Sequence, residues 1–148
     1  MNDRTTNSST TDLDYVDGMS PHGHAIGLQL IEKTGNTSRF RLPYGEHLVG
    51  DPDTGVIHGG VITAMLDNAC GHAVRSENEE ITIATLDLRI DYMGPATPGE
   101  TLFSEAECYK RTRNVAFVRA RAFHQGEETP VATCVASFML DTPSERRS

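Results

Sequence analysis

The sequence predicts an α+β domain in which a curved antiparallel sheet wraps around one covered helix. Three observations predict it. The stretch from His58 to Val74 carries helical periodicity but no solvated face, four long alternating segments follow it, and two short alternating segments precede it.

The helix comes first because the rest is arranged around it. Ile62, Met65, Leu66, Ala69, Cys70 and Ala73 fall on one broad arc at about 100° per residue, the pattern of an amphipathic or buried helix. The opposite side holds Gly60, Ala64, Asp67 and Gly71 instead of Lys and Glu, and, histidines aside, Asp67 is the only charge between His58 and Val74. A lone carboxylate among residues too small to fill space predicts that a ligand or a second chain approaches the helix there. Nine residues separate His58 from Asp67, which places the carboxylate roughly 13 Å up the axis from the glycines of the helix start. If both act on one small group, a symmetric dimer that sets one helix's start beside another's middle is the natural solution.

The remaining elements follow in order. Residues 1–12 are almost all polar, a composition that does not offset the entropy of ordering, and predict a disordered tail. A single domain is expected over 13–140 and a polar tail over 141–148. Ser20-Pro21 favours a turn or a short helix start; His22 and His24 lack a third ligand, so no metal site is expected. Gly27 to Ile31 and Ser38 to Leu42 alternate around Gly35-Asn36, a hairpin. Pro43 to Ile57, with Gly45, Gly50, Pro52 and Gly55, reads as loop. After the helix, Ile81 to Met93 alternates, with Leu86, Leu88, Ile90 and Tyr92 on one face and Thr85, Asp87, Arg89 and Asp91 on the other. Thr101 to Tyr109, Val115 to His124 and Val131 to Leu140 read as three more strands. Segments of this length run to about 30–40 Å and must curve to cover a helix of about 25 Å.

Composition narrows the function. A net charge of -8 and a pI near 5.1 argue against a nucleic-acid binder. Cys70, Cys108 and Cys134 are an odd number without C-x-x-C spacing and read as small core residues in a reducing compartment. No apolar run is long enough for a bilayer and the N-terminus has no signal-like h-region, so the expectation is a cytoplasmic protein with no membrane partner.

The element order, together with His58-Gly-Gly, Asp67 nine residues on and Gly71 after it, resembles the hotdog-fold acyl-CoA thioesterases, specifically the phenylacetate-pathway (PaaI-like) branch. The likeness runs from about Gly27 to Leu140 and includes Thr85-x-Asp87, Tyr92-Met93-x-Pro95 and Lys110-Arg111-Thr-Arg113. It implies a hotdog protomer, a long central helix wrapped by a curved sheet of about six strands, forming a homodimer or homotetramer with active sites at the dimer interface. It also implies hydrolysis of acyl-CoA thioesters, with coenzyme A as part of the substrate and no separate cofactor. The family's catalytic carboxylate maps to Asp67 and its carbonyl-polarising amide to Gly59. Many relatives carry an Asn shortly before the His-Gly-Gly; this chain has Asp51-Pro52-Asp53 there.

The residues themselves supply the chemistry. Thioester hydrolysis needs a nucleophile and a stabiliser for the oxyanion of the tetrahedral intermediate. The Gly59 and Gly60 amides at a helix start carry the positive end of its dipole, and the missing side chains admit a carbonyl oxygen. Asp67 acts as general base on water or attacks directly. The Thr85 hydroxyl is a candidate to hold the water or Asp67, and His58 to polarise the thioester or brace the loop. Gly60 and Asn68, beside Asp67, are candidate substrate contacts, and Lys110, Arg111 and Arg113 a candidate grip for the coenzyme's phosphates. Arg119 and Arg121 read as the solvated side of a hairpin. The alternatives are a hotdog enoyl-CoA hydratase or dehydratase pairing His58 with Asp67, and a non-catalytic acyl-CoA-binding protein.

Overall fold

A computed structural model describes residues 19–76 and 79–141. The expected tails over 1–12 and 142–148 lie outside the described residues; Asp141, expected to open the C-terminal tail, ends a strand instead. In chain order the elements are α1 (Pro21–Ala25), β1 (Gln29–Thr34), β2 (Thr37–Leu42), a 3-10 turn (Glu46–Leu48), β3 (Val49–Asp51), β4 (Val56–Ile57), α2 (Gly59–Val74), β5 (Thr82–Tyr92), β6 (Leu102–Arg111), β7 (Val115–Phe123) and β8 (Ala132–Asp141).

Six strands form one antiparallel sheet in the order β1-β2-β6-β7-β8-β5, with α2 packed against its inner face. The apolar arc of α2 is buried as its periodicity predicts: Met65, Leu66, Ala69 and Cys70 are wholly inaccessible, packed with Phe40, Leu42, Leu102, Val118 and Phe138 from the strands. Truncating one such side chain, Leu66→Ala for example, costs about 2–5 kcal/mol through lost burial and the cavity left behind. Two of the three buried polar side chains are paired, while the Ser104 hydroxyl has no hydrogen-bond partner among the described residues. The Ser38 hydroxyl donates to the Ala69 carbonyl at 2.7 Å, and buried His124 accepts from the Thr97 amide at 2.9 Å. Cys70, Cys108 and Cys134 are free and buried. The Cys70 thiol is pushed up by its hydrogen bond with Cys134 and by burial, so it stays protonated.

The structure corrects the strand-and-loop reading at three places. The segment read as a featureless loop, Pro43 to Ile57, contains the 3-10 turn and the β3–β4 hairpin. Asp51 builds that hairpin's turn, its carboxylate accepting from the Asp53 amide and the Thr54 hydroxyl, and Gly55 takes a φ of 77°. At Gly50 any side chain would collide with the backbone of His58, 2.9 Å from the position a Cβ would take, so the hairpin rests directly on the residue that starts α2.

The other two corrections are β-bulges. Between Thr85 and Asp87, β5 gains one residue over β8, so Leu86 is extra and turns outward, 52% exposed. Parity therefore reverses along β5. Thr85 faces the helix, and beyond the bulge Leu88 and Ile90 face the core, so Thr85 and Leu88 share a side where strict alternation had opposed them. β6 has the same irregularity between Cys108 and Lys110: Tyr109 is extra and exposed, and Arg111 is turned toward the end of α2.

Candidate active site

His58 is the N-cap of α2. Its extended backbone stops the helix, and its Nδ1 accepts the Gly60 amide at 2.8 Å, in the manner of a capping Ser or Asp. An accepting Nδ1 places the proton of the neutral ring on Nε2. Of the two alternatives for His58, bracing the helix start is the contact present. The expectation that both glycine amides lie open is corrected: Gly60 is occupied by His58, and Gly59 alone among the two makes no hydrogen bond from its amide to another described residue.

The Gly59 residue is held from the other side as well. The Tyr92 hydroxyl, at the end of β5, donates to the Gly59 carbonyl at 3.0 Å, Thr63 one turn up the helix donates to the same oxygen at 3.2 Å, and the two hydroxyls touch each other. Tyr92 and Thr63 were not singled out in the sequence as site residues. The signal was available: a tyrosine closing a long strand just before a Gly-Pro break, with its polar tip needing a partner.

Asp67 lies on the side of α2 that faces β5. The Thr85 hydroxyl donates to its Oδ1 at 2.8 Å, an arrangement that exists because the bulge at Leu86 turns Thr85 inward. This leaves Oδ2 for a water or substrate. Asp67 and Thr85 line a cavity of about 460 Å³ that also touches Asn68, Gly71 and, toward the helix end, His72 and Arg75. The Asn68 side chain is fixed by its own bond to the Ala64 carbonyl at 2.8 Å. Gly71 lets the strand come close: a Cβ there would stand 3.2 Å from Ile83 Cδ1. Asp67 is eight residues beyond Gly59 on one helix, about 12 Å along the axis, so the two do not meet within a chain.

The basic turn divides. Arg111 forms a double contact with the Glu79 carboxylate, one bond at 3.0 Å, and donates to the Val74 carbonyl at 3.3 Å, capping the C-terminus of α2. The hydrogen bond from Arg111 holds the Glu79 carboxyl below its ordinary range. Lys110 is exposed at the end of β6, and Arg113 borders a shallow depression with Asn114, Met139 and Asp141. Arg119 and Arg121 pair with Glu107 and Glu105 on the outer sheet face and stack over Tyr109 and Phe123, the exposed hairpin side the sequence indicated. The Asp51-Pro52-Asp53 loop is exposed, and Asp51 is occupied by its own turn.

A helix of this kind enclosed by six antiparallel strands, its start glycine and its mid-helix carboxylate presented on one side, defines a hotdog-fold protein. Residues 54–131 match the thioesterase superfamily. The chain belongs to that superfamily and is a thioesterase of hotdog fold. Among curated relatives it is 27% identical over 134 residues to the medium/long-chain acyl-CoA thioesterase YigI of Escherichia coli K12, covering 81% of this chain and 85% of that one. It is 35% identical over 88 residues to a protein of Halobacterium salinarum named as a candidate esterase; that match spans 55% of this chain and only 56% of the relative's length. Among solved structures, a Pseudomonas aeruginosa protein matches at 40% identity and a TM-score of 0.69, covering 80% of this chain and 88% of that one. The E. coli PaaI protein of the phenylacetic acid degradation operon shares the fold, with a TM-score of 0.73 at 16% identity over 90% of this chain and 88% of that one. Among the described residues no helix is long and apolar enough to cross a membrane.

Proposed function

We propose that this thioesterase hydrolyses acyl-CoA thioesters, with Asp67 as the general base or nucleophile and the Gly59 amide as the oxyanion donor. The observation that carries the reading is the Asp67 carboxylate, oriented by Thr85 and opening on a cavity beside small residues. As general base, Asp67 takes a proton from water as the water oxygen attacks the thioester carbon. The carbonyl oxygen becomes an oxyanion held by the Gly59 N–H, and collapse of the intermediate breaks the carbon–sulfur bond, releasing the acid and the protonated thiol of coenzyme A. As nucleophile, Asp67 attacks the thioester carbon, the carbon–sulfur bond breaks with coenzyme A leaving as a thiolate that takes up a proton, and water then cleaves the resulting acyl anhydride to the free acid and the regenerated Asp67 carboxylate.

The helical separation of about 12 Å between Gly59 and Asp67 supports completion of each site by a second copy. The geometry of β5 supports the same reading: it is an edge strand of 11 residues paired only with β8 among the described residues, and Leu86 and Tyr92 along it and Met93 just past its end stand more than half exposed. A homodimer, alone or doubled into a homotetramer, covers this edge and brings one copy's Gly59 to the other's Asp67. Lys110, exposed at the end of β6, meets the coenzyme's phosphates together with Arg113 in the same turn, whereas Arg111 is engaged at the helix end. The capping bond at His58 Nδ1 supports hydrolysis over the hydratase alternative, which needs that ring as an acid or base toward substrate.

The test is Asp67→Asn. The amide oxygen still accepts from Thr85, so the fold is expected to persist while turnover of acyl-CoA, followed by free thiol release, drops at least about a hundredfold. Turnover close to that of the wild type would remove Asp67 from its role.

A further inference from the structure

The cavity beside Asp67 does not end in apolar residues. It runs along the last two turns of α2, past Gly71, Ile83 and Phe138, to Arg75, which is half-buried and forms the C-cap of the helix. No hydrogen bond or ion pair joins Arg75 to another described residue. Glu79, four residues on in the chain, pairs with Arg111. A partly desolvated guanidinium without a counter-ion among the described residues attracts an anion, and its position at a helix C-terminus stabilises the cation without supplying one. Ser20, on the other wall, accepts from the Gly23 amide at 3.1 Å, which leaves its hydroxyl proton available to a ligand.

Distance decides which anion. Arg75 is eight residues beyond Asp67, about 12 Å along the helix. A thioester carbonyl placed at Asp67 has two arms. The pantetheine arm is too long to stop there, and its phosphates would fall well outside a cavity of about 460 Å³. The acyl arm fits. Ile83 and Phe138 offer apolar walls to a methylene chain, and Arg75 stands where such a chain of medium length ends.

Building on the acyl-CoA reading above, we propose that the cavity between Asp67 and Arg75 is an acyl subsite for chains carrying a distal carboxylate, so that the enzyme prefers the mono-CoA thioesters of dicarboxylic acids over methyl-ended chains of equal length. Arg75 is the specificity-determining residue; it binds the far carboxylate and takes no part in the chemical step.

The experiment compares hydrolysis of two acyl-CoA thioesters of equal medium chain length, one ending in a methyl group and one in a carboxylate. Wild-type kcat/KM is expected to favour the carboxylate-ended substrate by about tenfold or more, the scale of one charge-assisted hydrogen bond in a partly dry site. In Arg75→Met that ratio collapses or inverts, and Arg75→Lys recovers part of it. A second measurement needs no variant. Calorimetric titration of the wild-type protein with the free dicarboxylic acid should give tighter binding than with the monocarboxylic acid of equal length, and the difference should shrink in high salt. Cleavage of the methyl-ended substrate at an equal or higher rate, with equal binding of the two acids, overturns the inference and leaves the thioesterase reading standing. Failure to cleave either substrate defeats both.

Discussion

Replacing Tyr92 by phenylalanine removes one oxygen and leaves the ring that lies beside Gly59, whose Cβ position would be 3.7 Å from Tyr92 Cε1. The lost hydroxyl donates to the Gly59 carbonyl and contacts Thr63. Tyr92 is 51% exposed, so water can replace the bond, and the stability cost should be no more than about 1 kcal/mol. For a chain of 148 residues that is a fall in Tm of about 2–4 °C. Catalysis should suffer more than stability. His58 holds one side of Gly59 through the Gly60 amide, and Tyr92 with Thr63 holds the other. The amide is thereby fixed before substrate arrives, and complete loss of one oxyanion donor typically costs about 10²–10³ in kcat. Thr63 still holds the carbonyl in the variant, so a partial loss of about fivefold to thirtyfold in kcat is expected, with KM within about twofold. Steady-state thiol release across a range of acyl-CoA concentrations, beside a thermal melt, measures both. An unchanged kcat would refute the clamp, and a rise in KM alone would mean that Tyr92 touches the substrate instead of holding the amide.

Other outcomes follow from the same geometry. Mixing inactive Gly59→Ala and Asp67→Asn proteins under conditions of subunit exchange should restore activity at hybrid sites; no recovery, with exchange demonstrated, would place both residues of one site in one chain. Arg111→Ala should lower Tm by about 2–4 °C through loss of the Glu79 pair and of the helix cap, leaving KM for acyl-CoA within about twofold, whereas Lys110→Ala should raise KM in a salt-sensitive manner. A large KM effect at Arg111 that disappears with an acyl-pantetheine substrate would return it to phosphate binding. Because Arg111 holds the Glu79 carboxyl below its ordinary range, the pair's contribution is present above the unfolded carboxyl's pKa and lost as pH falls through the lower folded value. The stability gap between wild type and Arg111→Ala should therefore narrow in acid below about pH 4, and a gap that is constant down to acid unfolding would assign the effect to the helix cap alone.

The helix, its buried arc, its glycine start and its lone mid-helix carboxylate were legible in the sequence because they depend on local rules. A period of 3.6 selects the buried arc, glycine leaves a backbone amide uncovered, and a lone carboxylate on a face of small residues stands out wherever the helix packs. The long strands were legible for the same reason, and the whole six-stranded architecture followed from fitting them around a shorter helix. What strict alternation missed are the places where the chain departs from its own period. An extra residue at Leu86 puts Thr85 on Asp67, and one at Tyr109 points Arg111 at the end of α2. A bulge leaves no mark in a hydrophobic pattern, because it is chosen by pairing with a neighbouring strand distant in sequence: β8 for the first, β7 for the second. Tyr92 and Arg75 were missed on similar grounds. One gains its meaning from an oxygen 33 positions away and the other from having no side-chain partner among the described residues, and only the folded chain decides which side chains find partners.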